Sequence, residues 1–470
     1  MLDALDRQAR LTRNQARLIF LATFAVCLEF LDIFLIAFIL TFVSQPWSLT
    51  LGMSSVILLS SGVGTIFGAI FFGHLADRIG RRRVFLMTIG TFTIGTAALV
   101  FTPESADVGW IYLTFFRVLI GFGAGGLYVV DLPLVQEFMP IAKRGRVTGF
   151  VTAAVPLGFL VGSLLTWLVA PLVGWRGVLV ICVAMSLVVF AMRWWIPESP
   201  RWLLRRGEVD KARASVAWAL RVDPEQLPDG APELSDEARA TPRISSLLRY
   251  PRSLVVSCVS NLGTQTGYYG LTLWTPTLLV QVLHLRPEQS GFLMVFVTLG
   301  ALAGRLSLAW LSERLGRKGT GALCGAAAAV VLVFAAFSGD LLLGGLSVFF
   351  LLMIVAYFFG EGGFAIVGPY SAEVWPGALR TTGMGFAYGL GGIGKVIGPL
   401  GLALILGSTN VVKPEASTQD LLPAFCYFGA WYLLSAVMFV TLGFETKGRS
   451  LERLEREIES QRGGVADPVR

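Results

Sequence analysis

One offset organises this chain. Pro133, Glu137, Pro140, Ala142 and Arg144 recur as Pro369, Glu373, Pro376, Ala378 and Arg380, each pair separated by a step of 236. The same step carries Asp77, Gly80 and Arg81 onto Glu313, Gly316 and Arg317. A half-length repeat at one strict spacing means a structural unit written twice in tandem. Composition says in which solvent: 54% hydrophobic and 15% charged residues over 470 positions, with mean hydropathy +0.69, leave more apolar side chain than a water-soluble core can hide. The repeated unit is therefore expected to be a bundle of membrane-spanning helices.

A hydropathy window of about 19 residues finds spans near 18 to 42, 54 to 76, 84 to 103, 110 to 135, 147 to 170 and 177 to 197. A second set lies near 253 to 281, 290 to 312, 319 to 338, 342 to 372, 380 to 407 and 421 to 443. Each is long enough for a helix to cross roughly 30 Å of hydrocarbon. The expected fold class is all-α integral membrane: twelve transmembrane helices in two pseudo-symmetric six-helix bundles. The divisions are a terminal segment 1–17, a first bundle 18–197, a central loop 198–250, a second bundle 251–443 and a tail 444–470. In the loop, RRGEVDKARASVAWALRV has the apolar spacing of short amphipathic helices, and the Pro/Asp/Glu-rich stretch after it reads as linker. The first 17 residues are charged and lack a small-residue cleavage site, so the first span is expected to be retained. Cys27, Cys182, Cys258, Cys324 and Cys426 each sit inside an apolar run, which suggests neither a disulfide frame nor a metal site.

Charge placement gives the orientation. Arg78, Arg81, Arg82 and Arg83 follow span two, Lys143, Arg144 and Arg146 follow span four, and Arg314, Arg317 and Lys318 follow span eight, while the alternate loops carry almost no Lys or Arg. By the positive-inside rule both termini and the central loop are expected in the cytoplasm of a multi-pass protein of the cell (inner or plasma) membrane. The net charge of +7 is thus topological, and nucleic-acid binding is not expected.

The string Gly73, Leu75, Asp77, Gly80, Arg81, Arg82, Arg83 resembles the G-x-L-x-D-x-x-G-R-R-R signature of the major facilitator superfamily, with Leu311, Glu313, Gly316, Arg317 and Lys318 as a degraded second copy. Gly80 can supply a positive φ for so tight a turn, and an acid beside basic groups of the next helix can latch one conformation and release in another. IPESPRWLLRRGE, from Ile196 to Glu208, resembles the P-E-S-P-R-W-L string that closes helix six in the sugar porter, organic-ion and synaptic-vesicle-protein-like branch. FETKGRSLE, from Phe444 to Glu452, resembles its P-E-T-K-G-x-x-L-E string, with Phe444 in place of proline. The expected cytoplasmic gate is Asp77, Arg81, Glu137, Arg144 and Glu198 in the first half, with Glu313, Arg317, Glu373, Arg380 and Glu445 in the second. The bland alternative is a solvated charge run.

Cargo must be read from ionisable groups inside spans, where burial is costly unless a cavity or partner receives the charge. The first half offers Glu29 and Asp32 in span one and Arg117 and Asp131 in span four; the second offers Arg305, Glu361 and Lys395. Glu29 and Asp32 share a helix face and should not both stay ionised in a poorly hydrated site, which makes them the first proton-coupling candidates. A wet vestibule in which both titrate normally is the alternative. Arg117 opens FRVLIGFGAGG, similar to the R-x-x-x-G-x-G-x-G pattern of helix four in this superfamily, where the arginine is implicated in proton transfer or bundle integrity. Asp131 matches valine at 367 in the repeat, so it stands outside the shared latch and joins the proton-coupling candidates. Lys395 lies in glycine-rich GLGGIGKVIGPL with no acid within a turn. The resemblance implies a substrate anion there, against a lysine that snorkels or pairs with Glu361. Arg305 is close to the latch end of span eight, which makes it a weaker candidate for touching substrate.

Aromatic residues supply walls. Gln265, Tyr268, Tyr269 and Trp274 of span seven, with Tyr357 and Glu361 of span ten, can stack on and hydrogen-bond a small planar ligand. The Y-Y-G-L-x-x-W-x-P string resembles bacterial niacin transporter-like members more than hexose carriers. The sugar porters' Q-Q-x-S-G-x-N in helix seven is not intact. The resemblance implies a twelve-helix secondary transporter working by alternating access around a site between its halves. Its cargo would be a small organic anion, plausibly an aromatic carboxylate such as niacin, imported with protons. A sugar or polyol proton symporter and an organic cation or drug exporter are the alternatives. The expected partners are an organic acid, protons and membrane lipid, and a monomer suffices. No pocket nucleophile with a base, metal set or phosphate-binding loop is visible, so neither an enzyme nor a cofactor is expected.

Overall fold

Long apolar runs with few Gly or Pro interruptions become helices because, in lipid, every backbone N–H and C=O must be satisfied within its own segment. The computed structural model describes residues 1–140, 143, 147, 150–227, 244–339, 341–376, 379–407 and 422–447. Spans one to four are Arg13–Val43, Leu51–Ile79, Arg81–Val100 and Ala106–Glu137. Span five is Ala154–Leu164 continued by a π-helical turn, Leu165–Val169. It runs into Ala170–Arg193, which is broken at Gly174 (φ 67°, ψ 173°), so that its later part forms span six. Short helices Pro200–Arg205 and Val209–Leu220 follow. The second half comprises Pro251–Val282, Pro287–Leu315, Arg317–Ala336, Val348–Glu373, the abutting pieces Arg380–Gly392 and Gly394–Leu406, and Leu422–Thr441. These are spans seven to twelve.

Ten described stretches are long and apolar enough to cross a membrane, and the one from Phe150 to Arg193 holds spans five and six. Span seven is not among them. Its Ser, Thr, Asn, Gln and Tyr positions lower its hydropathy, yet nearly all of its side chains are buried. Protein, not lipid, surrounds it.

The chain divides into two compact units, one of Met1–Ile39 with Ser60–Arg239 and one of Leu40–Leu59 with Ala240–Arg470. In the first unit, span four packs tightly on span two: a Cβ at Gly121 would strike the Ser61 carbonyl, and one at Gly125 the Thr65 carbonyl. The terminal segment is structured as well. Leu2–Asp6 is helical, and Asn14 Nδ2 donates to the Trp218 carbonyl at 2.7 Å, capping helix Val209–Leu220. Gln15 Nε2 donates to Phe138 O at 2.8 Å, at the end of span four.

One expectation is corrected in the second unit. Span ten does not begin at 342: Leu342–Leu343 and Leu346–Ser347 form an antiparallel hairpin, and the helix starts at Val348. The turn residues Gly344 and Gly345 both have positive φ (58° and 83°), the requirement of a tight two-residue hairpin. An apolar run conceals such a turn because hydropathy is blind to φ.

Candidate functional site

Span one places Asp32 opposite Arg117 of span four. Both are buried, and the guanidinium Nη1 is ion-paired with the Asp32 carboxylate. Arg117 Nη2 donates to Ser61 Oγ at 2.9 Å. The glycine-mediated approach of spans two and four brings Ser61 within reach. Removing either charge from such a pair would strand the other in a poorly solvated place. Glu29, one turn before Asp32, is buried too.

Asp131 is buried, and the cation acting on it is Arg193 at the end of span six. Among the described residues, neither the Asp131 oxygens nor any Arg193 guanidinium nitrogen has a hydrogen-bond partner, and the Arg193 guanidinium lies 4.5 Å from the centroid of the Phe85 ring. Sequence reasoning passed over Arg193, although it is a charge inside the apolar run FAMRWWIP, the same signal that picked out Asp131.

In the second unit, small residues bring span eleven onto span seven. A Cβ at Gly394 would meet Thr266 N at 2.6 Å, and one at Gly398 would meet Gly270 N at 2.7 Å. That approach seats buried Lys395 with its ammonium 5.0 Å from the Tyr269 ring centroid. Tyr269 packs edge-on against Tyr268 at 5.5 Å, and Phe364 lies 5.2 Å from Tyr268. Gln265 Nε2 donates to Asn261 Oδ1 at 3.3 Å, Trp274 Nε1 donates to Pro399 O at 3.2 Å, and Tyr357 is buried in the same unit.

Glu361 is fully buried, and its ion-pair partner is Arg305 rather than Lys395. Arg305, close to the latch end of span eight, is thus paired inside the unit. Its guanidinium reaches inward from span eight and lies 5.9 Å from the Phe364 ring centroid. The two residues are 56 positions apart on different spans, a juxtaposition that no local spacing announces.

The basic ends of both units are built alike. Gly80 (φ 101°) and Gly316 (φ 100°) turn span two into three and span eight into nine. In the first, Glu198 Oε1 accepts from the backbone N–H of Arg81 at 2.9 Å and of Arg82 at 3.1 Å; in the second, Glu445 Oε1 accepts from Arg317 N at 3.0 Å. Arg81 pairs with Glu137 at 2.8 Å, and Arg317 with Glu373 at 3.6 Å. Ser199 donates to Glu137 as Thr446 donates to Glu373. Carboxylates thus cap the helix N-termini that follow each glycine turn. Glu313 joins Arg317, Glu373 and Lys447 around a small polar cavity of about 180 Å³. The side chains of Asp77 and Arg380, and Arg144 altogether, lie outside the described residues.

A family model described as Sugar (and other) transporter matches residues 18–458. The chain belongs to that family. It is a multi-pass membrane transporter of the major facilitator superfamily. Among its relatives, the niacin transporter NiaP of Acinetobacter baylyi is 30% identical over 429 residues, covering 90% of this chain and 92% of the relative. A cis,cis-muconate transport protein of the same organism is 24% identical, covering 92% and 95%. The inward-open conformation of the xylose transporter XylE from E. coli superposes with a TM-score of 0.74 at 17% identity, over 94% of this chain and 99% of that one. The last likeness speaks to the fold.

Within this transporter the ionisable groups form separate clusters. Asp32–Arg117 in the first unit is a buried ion pair, which protonation of Asp32 would break. Lys395 over Tyr269 in the second is a cation on an aromatic wall, suited to a flat anion.

Proposed function

We propose that this transporter imports a small organic anion, an aromatic carboxylate of the niacin type, by alternating access coupled to protons. The carrying observation is Lys395 held 5.0 Å from the Tyr269 ring within the Tyr268, Tyr269 and Phe364 cluster. A cation supplies charge for a carboxylate, and the rings supply stacking surface. Span seven has few side-chain amides for the many hydrogen bonds of a polyol, which favours an acid over a sugar. The niacin and muconate relatives support the same cargo class. Asp32 is the first candidate for the driving proton, because protonating it would release Arg117 from its ion pair. Glu29 and Asp131 are the secondary candidates. The basic ends built on Gly80 and Gly316 face the cytoplasm in this reading, by the positive-inside rule.

The test is uptake of radiolabelled nicotinate by proteoliposomes under an imposed pH gradient. Saturable uptake that rises when the outside is made more acidic, and is competed by benzoate but not by hexoses, fits the proposal. Uptake of hexose in place of nicotinate contradicts the cargo; uptake indifferent to the gradient contradicts the coupling.

A further inference from the structure

Glu361 and Arg305 have no counterpart in the first half: a step of 236 back from them lands on Gly125 and Ala69. The pair is therefore not part of the repeated latch. Its geometry is also unlike a saturated structural ion pair, in which guanidinium and carboxylate meet fork to fork. Arg305 engages Oε1 of Glu361, while Oε2 is buried and, among the described residues, has no hydrogen-bond partner apart from the nearby Tyr268 phenol. The burial is unequal. Glu361 is 0% exposed and Arg305 8%, so of the two buried groups the cation keeps the accessible surface.

Besides Arg305 and the Lys395 ammonium, the groups named around Glu361 are neutral. Span seven presents Tyr268, whose phenol feels the Glu361 charge, and Tyr269 beside it. Span ten adds Tyr357, and span twelve adds Tyr432, both acted on by the same carboxylate. Span nine contributes Cys324, whose Cβ faces neighbouring Gly363. Lys395 of span eleven sits over Tyr269, and span eight supplies Arg305 itself.

We infer that Glu361 is a second proton-linked acid, and that an organic anion whose carboxylate meets both Lys395 and Arg305, the cations bordering the Tyr269 and Phe364 rings, brings one proton onto Glu361 as it binds. The charges balance. Before binding, Arg305, Lys395 and Glu361 sum to one positive charge; a substrate carboxylate that takes Arg305 would leave Glu361 a buried anion without its ion-pair partner, which is strongly disfavoured. A proton from solvent on Glu361 removes that stranded anion and returns the cluster to one positive charge: the Arg305–Glu361 ion pair breaks, the Arg305–substrate pair forms, and the Glu361 O–H bond is made. Anion and proton then enter together, whatever Asp32 carries. This inference rests on the anion reading above.

Titration calorimetry of purified full-length protein with nicotinate near neutral pH, repeated in buffers of different ionisation enthalpy, counts the protons taken up per ligand. The wild type is expected to take up about one proton per nicotinate, and none with uncharged nicotinamide. Glu361→Gln is expected to bind nicotinate without that proton. Should Glu361→Gln fail to fold, Glu361→Asp must retain the uptake and Arg305→Gln must abolish it. Proton uptake that survives in Glu361→Gln, or is lost in Asp32→Asn alone, overturns the inference and leaves the anion reading standing. Absence of nicotinate binding by the wild type refutes the anion reading and this inference with it.

Discussion

The first and seventh spans hold equivalent places in the repeat, because the step of 236 sets Glu29 against Gln265 and Asp32 against Tyr268. They handle burial in opposite ways. Span one is among the most apolar helices, with mean hydropathy 2.5 over a window that is 89% buried, yet it carries two acids. Span seven has no charge after Arg252 and spreads its polarity over Ser, Thr, Asn, Gln and Tyr. Asp32 obtains its cation from span four, whereas the second unit keeps its acid on span ten and its cations on spans eight and eleven. The rims, by contrast, are near copies. The turns that shape the bundle are shared between the halves, while the interior charge differs between them.

The contrast can be broken most forcefully at Arg117. Arg117→Ala leaves Asp32 buried without its cation and should cost about 3–5 kcal/mol of stability, read as a large fall in melting temperature. The double variant Asp32→Asn with Arg117→Met should recover much of that loss, since no charge is then stranded. A single variant as stable as the wild type would mean that the first-half pair is solvated, and the contrast with span seven would disappear.

Lys395→Ala tests the second half. A charge-assisted contact is worth about 1.5–3 kcal/mol, so nicotinate binding should weaken roughly tenfold to more than a hundredfold, seen as a rise in KM. The shared rims give a matched pair of smaller effects. Gly80→Ala and Gly316→Ala each force a positive φ and push a Cβ toward Glu198 or Glu445, and each should cost about 1–3 kcal/mol in thermal unfolding. Unequal losses would show that the two turns are alike in form only. Smallest of all, Tyr269→Leu removes the ring under Lys395 and should weaken binding by about 0.5–2 kcal/mol in calorimetric titration.

The offset of 236 exposed the halves and both glycine turns before any coordinates, because turn chemistry and helix ends are local. Glu198 and Glu445 were found through strings and not through the offset, since they are 247 apart, eleven more than the step. Partners across spans were not legible. Position along a helix says nothing of which way a guanidinium turns, so the sequence puts Arg305 close to the latch end of span eight and gives Glu361 only as an alternative partner of Lys395. Arg193 was missed because it neighbours the basic loop, where one more arginine looks like a topology signal. The terminal segment read as a charged tail, although Asn14 and Gln15 cap carbonyls more than 100 positions away.

The central claim is a division of labour in which the second half recognises the anion and Asp32 of the first carries a driving proton. Nicotinate accumulation in proteoliposomes under one imposed pH gradient, followed over a range of nicotinate concentrations for the wild type, Asp32→Asn and Lys395→Ala, tests it most directly. The account predicts a lowered accumulation ratio with largely kept KM for Asp32→Asn, and a raised KM for Lys395→Ala. Wild-type accumulation in Asp32→Asn together with wild-type KM in Lys395→Ala would contradict it.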